Sequence, residues 1–379
     1  MKFPTNLEEK INSRIANSAL RILKLPENLI DFSSNDYLGF SKSKIIFDKT
    51  HHYLQQKNHC RNGATGSRLL TGNHELYAET EKLIADFHET EAALIFNSGY
   101  DANIGFFQSV PQRNDLVLFD NLCHASIRDG ILSGISKSFK FNHNDFEHLE
   151  KLIKKYQSNF ENIYIITESV FSMDGDSPNL EELVQLSEKH QCLLIVDEAH
   201  SVGVFGENGC GLVQELDLQT KIFARIVTFG KGLGCHGAAI VGGQNLRDYL
   251  INFARSFIYT TGLSPHSVAT ILMAYQQLPK SPNTIVALQE NIKFFNRQKS
   301  LLGLKPLFIR SKSAIQSAIL PGNLIVKKAA QMMAECGFDV KPILSPTVPE
   351  GQERLRFCLH SYNTETEIKT ILNKLMDVL

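Results

Sequence analysis

Short apolar runs recur through the middle of this chain. Ala93–Phe96, Leu116–Phe119, Ile163–Thr167, Leu193–Val196, Arg225–Phe229 and Ala238–Val241 are rich in branched and aromatic residues. Runs of that length predict strands buried on both faces. Between several of them, apolar residues fall at helical spacing, as in Leu76, Leu83, Ile84 and Phe87, or Leu149, Leu152 and Ile153. Asn144 with Glu147 predicts a capping box for the second of these helices. Ser177 and Pro178 predict the cap and first position of the helix in NLEELVQLSEKH. Strand, helix, strand in alternation predicts an α/β domain with a mostly parallel sheet and right-handed crossovers.

The two ends read differently. Residues 7–24 place Ile11, Ile15, Leu20 and Leu23 near helical spacing, and Pro26 is the predicted stop. From about residue 269 onward the elements shorten and polar segments such as RSKSAIQS intervene. There ERLRFCLH sets Leu355, Phe357 and Leu359 against Arg354, Arg356 and Cys358, predicting a strand with one apolar face and one polar face. The expected division is an N-terminal helix and arm over 1–38, a large α/β domain over 39–268, and a smaller α+β domain over 269–379.

Composition narrows the function classes. At 379 residues the chain can bury a large core. Lys and Arg number 39 against 40 Asp and Glu, a formal net charge of −1, so neither nucleic-acid nor anionic-membrane binding is implied. The seven cysteines are scattered without a C-x-x-C pair, which predicts neither a disulfide framework nor a zinc ribbon; no metal site is expected. Acidic residues stand where a signal peptide would have its apolar core, and no apolar run approaches the ~20 residues of a membrane span. A soluble cytosolic protein is expected.

Candidate chemistry gathers between Leu193 and Gly234. The first strand ends in VDEAHSVGVFG, with Asp197 and His200, and the second ends in TFGKGLG, with Thr228 and Lys231. Residues at the carboxyl ends of parallel strands face the cleft where open α/β sheets bind ligands. A lone lysine is usually a solvated charge and a strand-end aspartate is often a turn cap. The four together are what pyridoxal phosphate requires: an amine to condense with its aldehyde, a carboxylate for its ring nitrogen, an imidazole for its phenolic oxygen and a hydroxyl for its phosphate. Two glycine-rich segments could hold an anion through backbone N–H groups: RNGATGSRLLTGN, which includes Ser67, and NSGYDAN, where Gly99 and Tyr100 open a predicted helix. IDFSSNDYLGF, with Asn35, reads only as a polar turn. His124, after the Leu116–Phe119 strand, reads either as a hydrogen-bonded core histidine or as a ring stacked on a planar ligand. DEAH also occurs in the nucleotide-hydrolysis box of RNA helicases, but no phosphate loop and no basic surface accompany it here.

The ordered blocks IDFSSNDYLGF, GATGSRLLTGNHELYAETE, NSGYDANIG, HASIRDG, TESVFSMDGD, VDEAHSVGVFG and TFGKGLG resemble the α-oxoamine synthases. These are pyridoxal-phosphate enzymes of the aspartate-aminotransferase fold, fold type I. The resemblance implies a decarboxylative Claisen condensation of an amino acid with an acyl thioester. Within the family it is nearest to members joining L-alanine to a pimeloyl group, on coenzyme A or a carrier protein, in biotin biosynthesis. Members that use glycine with acetyl or succinyl donors, or long-chain acyl groups, share the same cofactor residues. Residue by residue, the resemblance gives Lys231 the covalent link to the cofactor and the removal of the substrate α-proton. Asp197 falls to the ring nitrogen, His200 to the phenolic oxygen and His124 to the ring face. Gly99, Tyr100, Ser172 and Thr228 fall to the cofactor and its phosphate. Thr260 and Thr261 match a segment reaching the neighbouring subunit's cofactor, which implies a homodimer. Arg356 matches the arginine that holds the amino-acid carboxylate, while Arg21, Asn35, Ser67 and Thr347 fall to the substrate. The stretch between KLPEN and IDFSSNDYLG is more compact than in many relatives, and Cys235 and His236 stand where small residues are commoner.

Overall fold

The computed structural model describes residues 3–23 and 28–378. The chain divides into two compact units, one formed by 35–172 with 177–287, the other by 1–34, 173–176 and 288–379. The expected cut at 268 therefore moves to 287. The reason is packing: the helix Pro265–Gln277 lies against the helices Lys44–Gln56 and Glu75–Phe87 of the larger unit.

The larger unit is built on seven strands: β1 (Ala92–Phe96), β2 (Leu116–Asp120), β3 (Lys137–Phe141), β4 (Ile163–Glu168), β5 (Leu193–Asp197), β6 (Ala224–Thr228) and β7 (Ala238–Gly242). Their order across the sheet is β1-β7-β6-β5-β4-β2-β3, and only β7 runs antiparallel to its neighbours. Side chains alternate between two cores. Ile166, Ile195, Ile226 and Ile240 join Phe106, Phe107 and Ile127 on one face, while Ile165, Leu194 and Val196 join Leu149, Leu180 and Leu183 on the other. Every residue of β4 is buried, which explains why its run is continuously apolar.

Asn144 does not cap the helix Phe146–Tyr156. It takes a left-handed φ of 53°, and Asp145 is the cap, accepting from the His148 N–H at 2.9 Å. Likewise Asn179, not Ser177, caps Leu180–Lys189. Both misplacements arise because neighbouring Asn, Asp and Ser are near-equal caps, and only the path of the incoming chain chooses among them.

Arg225 is fully buried behind the sheet, with its guanidinium 3.2 Å from Glu198 and 3.2 Å from the Gln214 side-chain carbonyl. Among the described residues its Nε has no hydrogen-bond partner. Arg225→Met is expected to lower stability by about 3–5 kcal/mol, because Glu198 would be left as a buried, unpaired charge. A denaturant midpoint equal to wild type would refute this.

The smaller unit carries an antiparallel sheet ordered Lys341–Ile343, Arg354–Cys358, Ile315–Ile319. The helix Asn323–Glu335 packs on this sheet and on the helix Glu365–Val378. The strand Arg354–Cys358 departs from its expected polar face, since all five of its residues are buried. Arg354 is paired there with Asp174. The N-terminal helix spans Thr5–Ala16, shorter than expected, and none of its residues is buried. Leu20 and Leu23 fall beyond it in irregular chain, and Pro26, its expected stop, lies outside the described residues. Among the described residues no helix is long and apolar enough to cross a membrane.

Candidate active site

Three parallel strands end on one cleft of the larger unit. Glu168 is the last residue of β4, Asp197 of β5 and Thr228 of β6, and the turns that follow β5 and β6 carry His200 and Lys231. They line a cavity of about 280 Å³ together with Asn35, Gly99, Tyr100, His124 and Ser172. Nine of the residues expected at the site thus meet in one place: Asn35, Gly99, Tyr100, His124, Ser172, Asp197, His200, Thr228 and Lys231. Thr260 does not line the cavity; its hydroxyl accepts from Asn97 Nδ2 at 3.1 Å.

Asp197 is held rigidly. Its Oδ1 accepts the Ala199 N–H at 2.9 Å and its Oδ2 accepts from Asn103 Nδ2 at 3.0 Å. Lys231 Nζ sits 2.8 Å from His200 Nε2, and His200 Nδ1 sits 2.6 Å from the Tyr37 hydroxyl. The Tyr37 hydroxyl also lies 3.2 Å from Asn35 Oδ1, which extends the hydrogen-bonded chain to the cavity wall. The chain Asn35, Tyr37, His200, Lys231 therefore fixes the orientation of the imidazole. Tyr37 is completely buried. Tyr37→Phe would remove a buried hydrogen bond to His200 Nδ1, a cost of about 1–3 kcal/mol. A titration of the variant with cofactor should show affinity reduced by about tenfold. Affinity matching wild type would show that the hydroxyl does not orient His200.

The helix Gly99–Ser109 begins at the cavity wall. Ser98 caps it by accepting the Asp101 N–H at 3.0 Å, while the other first-turn N–H groups have no acceptor within the helix. Glycine is required at 99 because a Cβ there would stand 2.8 Å from Thr228 Cγ2. His124 caps the next helix, Ala125–Ser133, with Nδ1 2.8 Å from Ser126 Oγ, and donates its backbone N–H to Glu168 Oε1 at 2.6 Å. Burial pushes the His124 imidazole below its ordinary value, so it is neutral at pH 7. Burial, reinforced by the charge of Asp197, pushes the Glu168 carboxyl up to about 8.

Sequence reasoning missed Tyr37, Asn103 and Glu168. Glu168 was accessible by the rule that found Asp197, since both end a buried parallel strand. Tyr37 and Asn103 carried no local signal. Ser67 does not line the cavity; its carbonyl accepts from Leu70 and Gly72 in a turn. Thr261 offers its carbonyl to Asn97 at 2.7 Å. In the smaller unit, Arg21 reaches Thr347 Oγ1 at 3.3 Å, so those two expected residues do meet there. Arg356 is buried in the strand Arg354–Cys358, with a guanidinium nitrogen 2.9 Å from Cys358 Sγ.

Comparison with known proteins shows the family. The model of the family described as aminotransferase class I and II matches residues 27–375. The chain belongs to that family and, within it, to the α-oxoamine synthases. It is a pyridoxal-phosphate-dependent acyltransferase of fold type I. An 8-amino-7-oxononanoate synthase from Emericella nidulans is 38% identical over 370 residues, covering 92% of this chain and 89% of its own length. A crystal structure of 8-amino-7-oxononanoate synthase from Francisella tularensis superimposes with a TM-score of 0.79 at 29% identity, covering 93% of this chain and 98% of that one. A serine palmitoyltransferase variant from S. paucimobilis with bound PLP and myriocin superimposes with a TM-score of 0.88 at 25% identity, covering 98% and 96%.

The residues present fit the cofactor. Asn103 Oδ1 is a buried acceptor without a partner, on the amide that holds Asp197, and so suits a ligand bringing a donor to that corner. The N-terminus of the helix at Gly99 opens on the cavity, where its first-turn N–H groups suit a phosphate.

Proposed function

We propose that this enzyme condenses L-alanine with a pimeloyl thioester, releasing carbon dioxide and the free thiol and forming 8-amino-7-oxononanoate, the biotin-pathway intermediate. The observation that carries the reading is similarity of 35–39% over at least 90% of the chain to several relatives bearing that name. The paired lysine and imidazole within the cavity support it.

Bound pyridoxal phosphate supplies an aldehyde that holds the amino acid and a cationic ring that draws electrons from its α-carbon. Asp197, already fixed by two N–H donors, would pair with the ring nitrogen and keep it protonated. His124, its ring oriented by Ser126, would take the face of the cofactor ring. Tyr100, Ser172 and Thr228, with the Gly99 amide, take the phosphate. His200 contacts the phenolic oxygen and, through Nε2, takes or returns a proton at Lys231 Nζ. Lys231 would hold the cofactor at rest and then remove the α-proton of alanine, so that the α-carbon can attack the thioester carbonyl and the thiol can leave. Arg356 grips the alanine carboxylate, which excludes amino acids presented in the reverse orientation. Arg21, Asn35 and Thr347 would bind substrate, and Thr260 and Thr261 would complete the partner's phosphate site in a homodimer.

Mass spectrometry of the product from alanine and pimeloyl thioester tests this directly. The expected product is 8-amino-7-oxononanoate. Turnover only with glycine, or only with a short or long acyl donor, would transfer the enzyme to another branch of the family.

A further inference from the structure

Strand register places two carboxyl groups side by side at the cavity wall. Glu168 and Asp197 are direct partners across β4 and β5, both are buried, and both line the cavity. In-register neighbours on parallel strands project to the same side of the sheet. Two adjacent buried carboxylates cannot both ionise at low cost. The hydrogen bonds decide which one keeps its charge. Asp197 accepts two N–H donors, from Ala199 and Asn103, whereas the Glu168 carboxyl accepts one, from the His124 backbone.

We propose that Glu168 is a positioning residue that works as a neutral carboxyl: it anchors the His124 turn at the cavity wall and leaves Asp197 the single negative charge at the ring-nitrogen corner. This rests on the cofactor reading above. The groups that face Glu168 are Asp197 on β5, Lys231 after β6, Asp120 at the end of β2, and Cys123 and His124 in the turn that follows it. Burial is the largest influence on Glu168, Asp197 adds to it, and Lys231 opposes it. The sign of the linkage is fixed. A carboxyl raised to about 8 when folded contributes its full share of stability below its ordinary unfolded value and loses it as pH rises through about 8.

The arrangement explains why a glutamate, whose charge goes unused, occupies a buried site. Its carbonyl oxygen does the anchoring, and its proton removes the repulsion that an ionised partner would direct at Asp197. Glutamine preserves both features, whereas alanine preserves neither.

The test uses full-length wild type, Glu168→Gln and Glu168→Ala. Infrared difference spectra of wild type against Glu168→Gln at pH 7 should show the C=O band of a protonated carboxyl that titrates away near pH 8. Cofactor affinity of Glu168→Gln should stay within about twofold of wild type, the scale of a substitution that breaks nothing. Glu168→Ala, which strands the His124 N–H, should lose about tenfold or more. No carboxyl band in the difference spectrum, or glutamine as damaging as alanine, would overturn the proposal. The two readings separate cleanly. Wild type that takes up no cofactor sinks the proposed function, while the infrared band reports the Glu168 charge with or without cofactor.

Discussion

Lys231→Ala is expected to reduce turnover by at least about 10³-fold, because one amine both holds the cofactor and moves the α-proton. The fold should survive. Lys231 lies in a turn after β6, outside either face of the sheet core, so its removal opens no packed interior. The far-ultraviolet spectrum and melting temperature should therefore match wild type while product formation collapses. His200 would lose its 2.8 Å neighbour but keep Tyr37. An alanine variant that still condensed alanine with the thioester at the wild-type rate would remove Lys231 from the chemistry.

Asp197→Asn carries the second largest effect. The amide keeps the shape of the carboxylate but not its charge. Its NH₂ group must also face Asn103 Nδ2, donor against donor, unless one of the amides turns over. Hydrogen bonds to charged groups contribute about 1.5–3 kcal/mol, so cofactor affinity should fall by about 10- to 100-fold. Turnover should fall further, since a ring nitrogen without a carboxylate partner is a poorer electron sink. Absorbance titration with pyridoxal phosphate, followed by turnover at saturating cofactor, separates the two losses. Unchanged affinity together with unchanged turnover would show that Asp197 does not meet the ring. The same substitution removes the charge that helps hold Glu168 up, so the Glu168 carboxyl should titrate at lower pH, with burial still keeping it above its ordinary value.

The sequence by itself determined the α/β class and six of the seven strands of the sheet, missing only Lys137–Phe141, and it singled out Lys231, Asp197 and His200 as candidates. The reason is local. A strand buried on both faces must be apolar throughout, so a charged residue at its end stands out, and the position of that end locates the ligand cleft. The tertiary structure alone decided the rest. It placed Tyr37, more than a hundred residues away in sequence, against His200, and brought Asn103 to Asp197. It set Glu168 beside Asp197 through strand register, which a single strand does not contain. It chose Asp145 and Asn179 over equally good neighbouring caps. It also buried both faces of Arg354–Cys358, where alternation had predicted one wet face. Each depends on which elements become neighbours. Hydrophobic periodicity reports whether a residue is covered, and only the assembled fold determines by what.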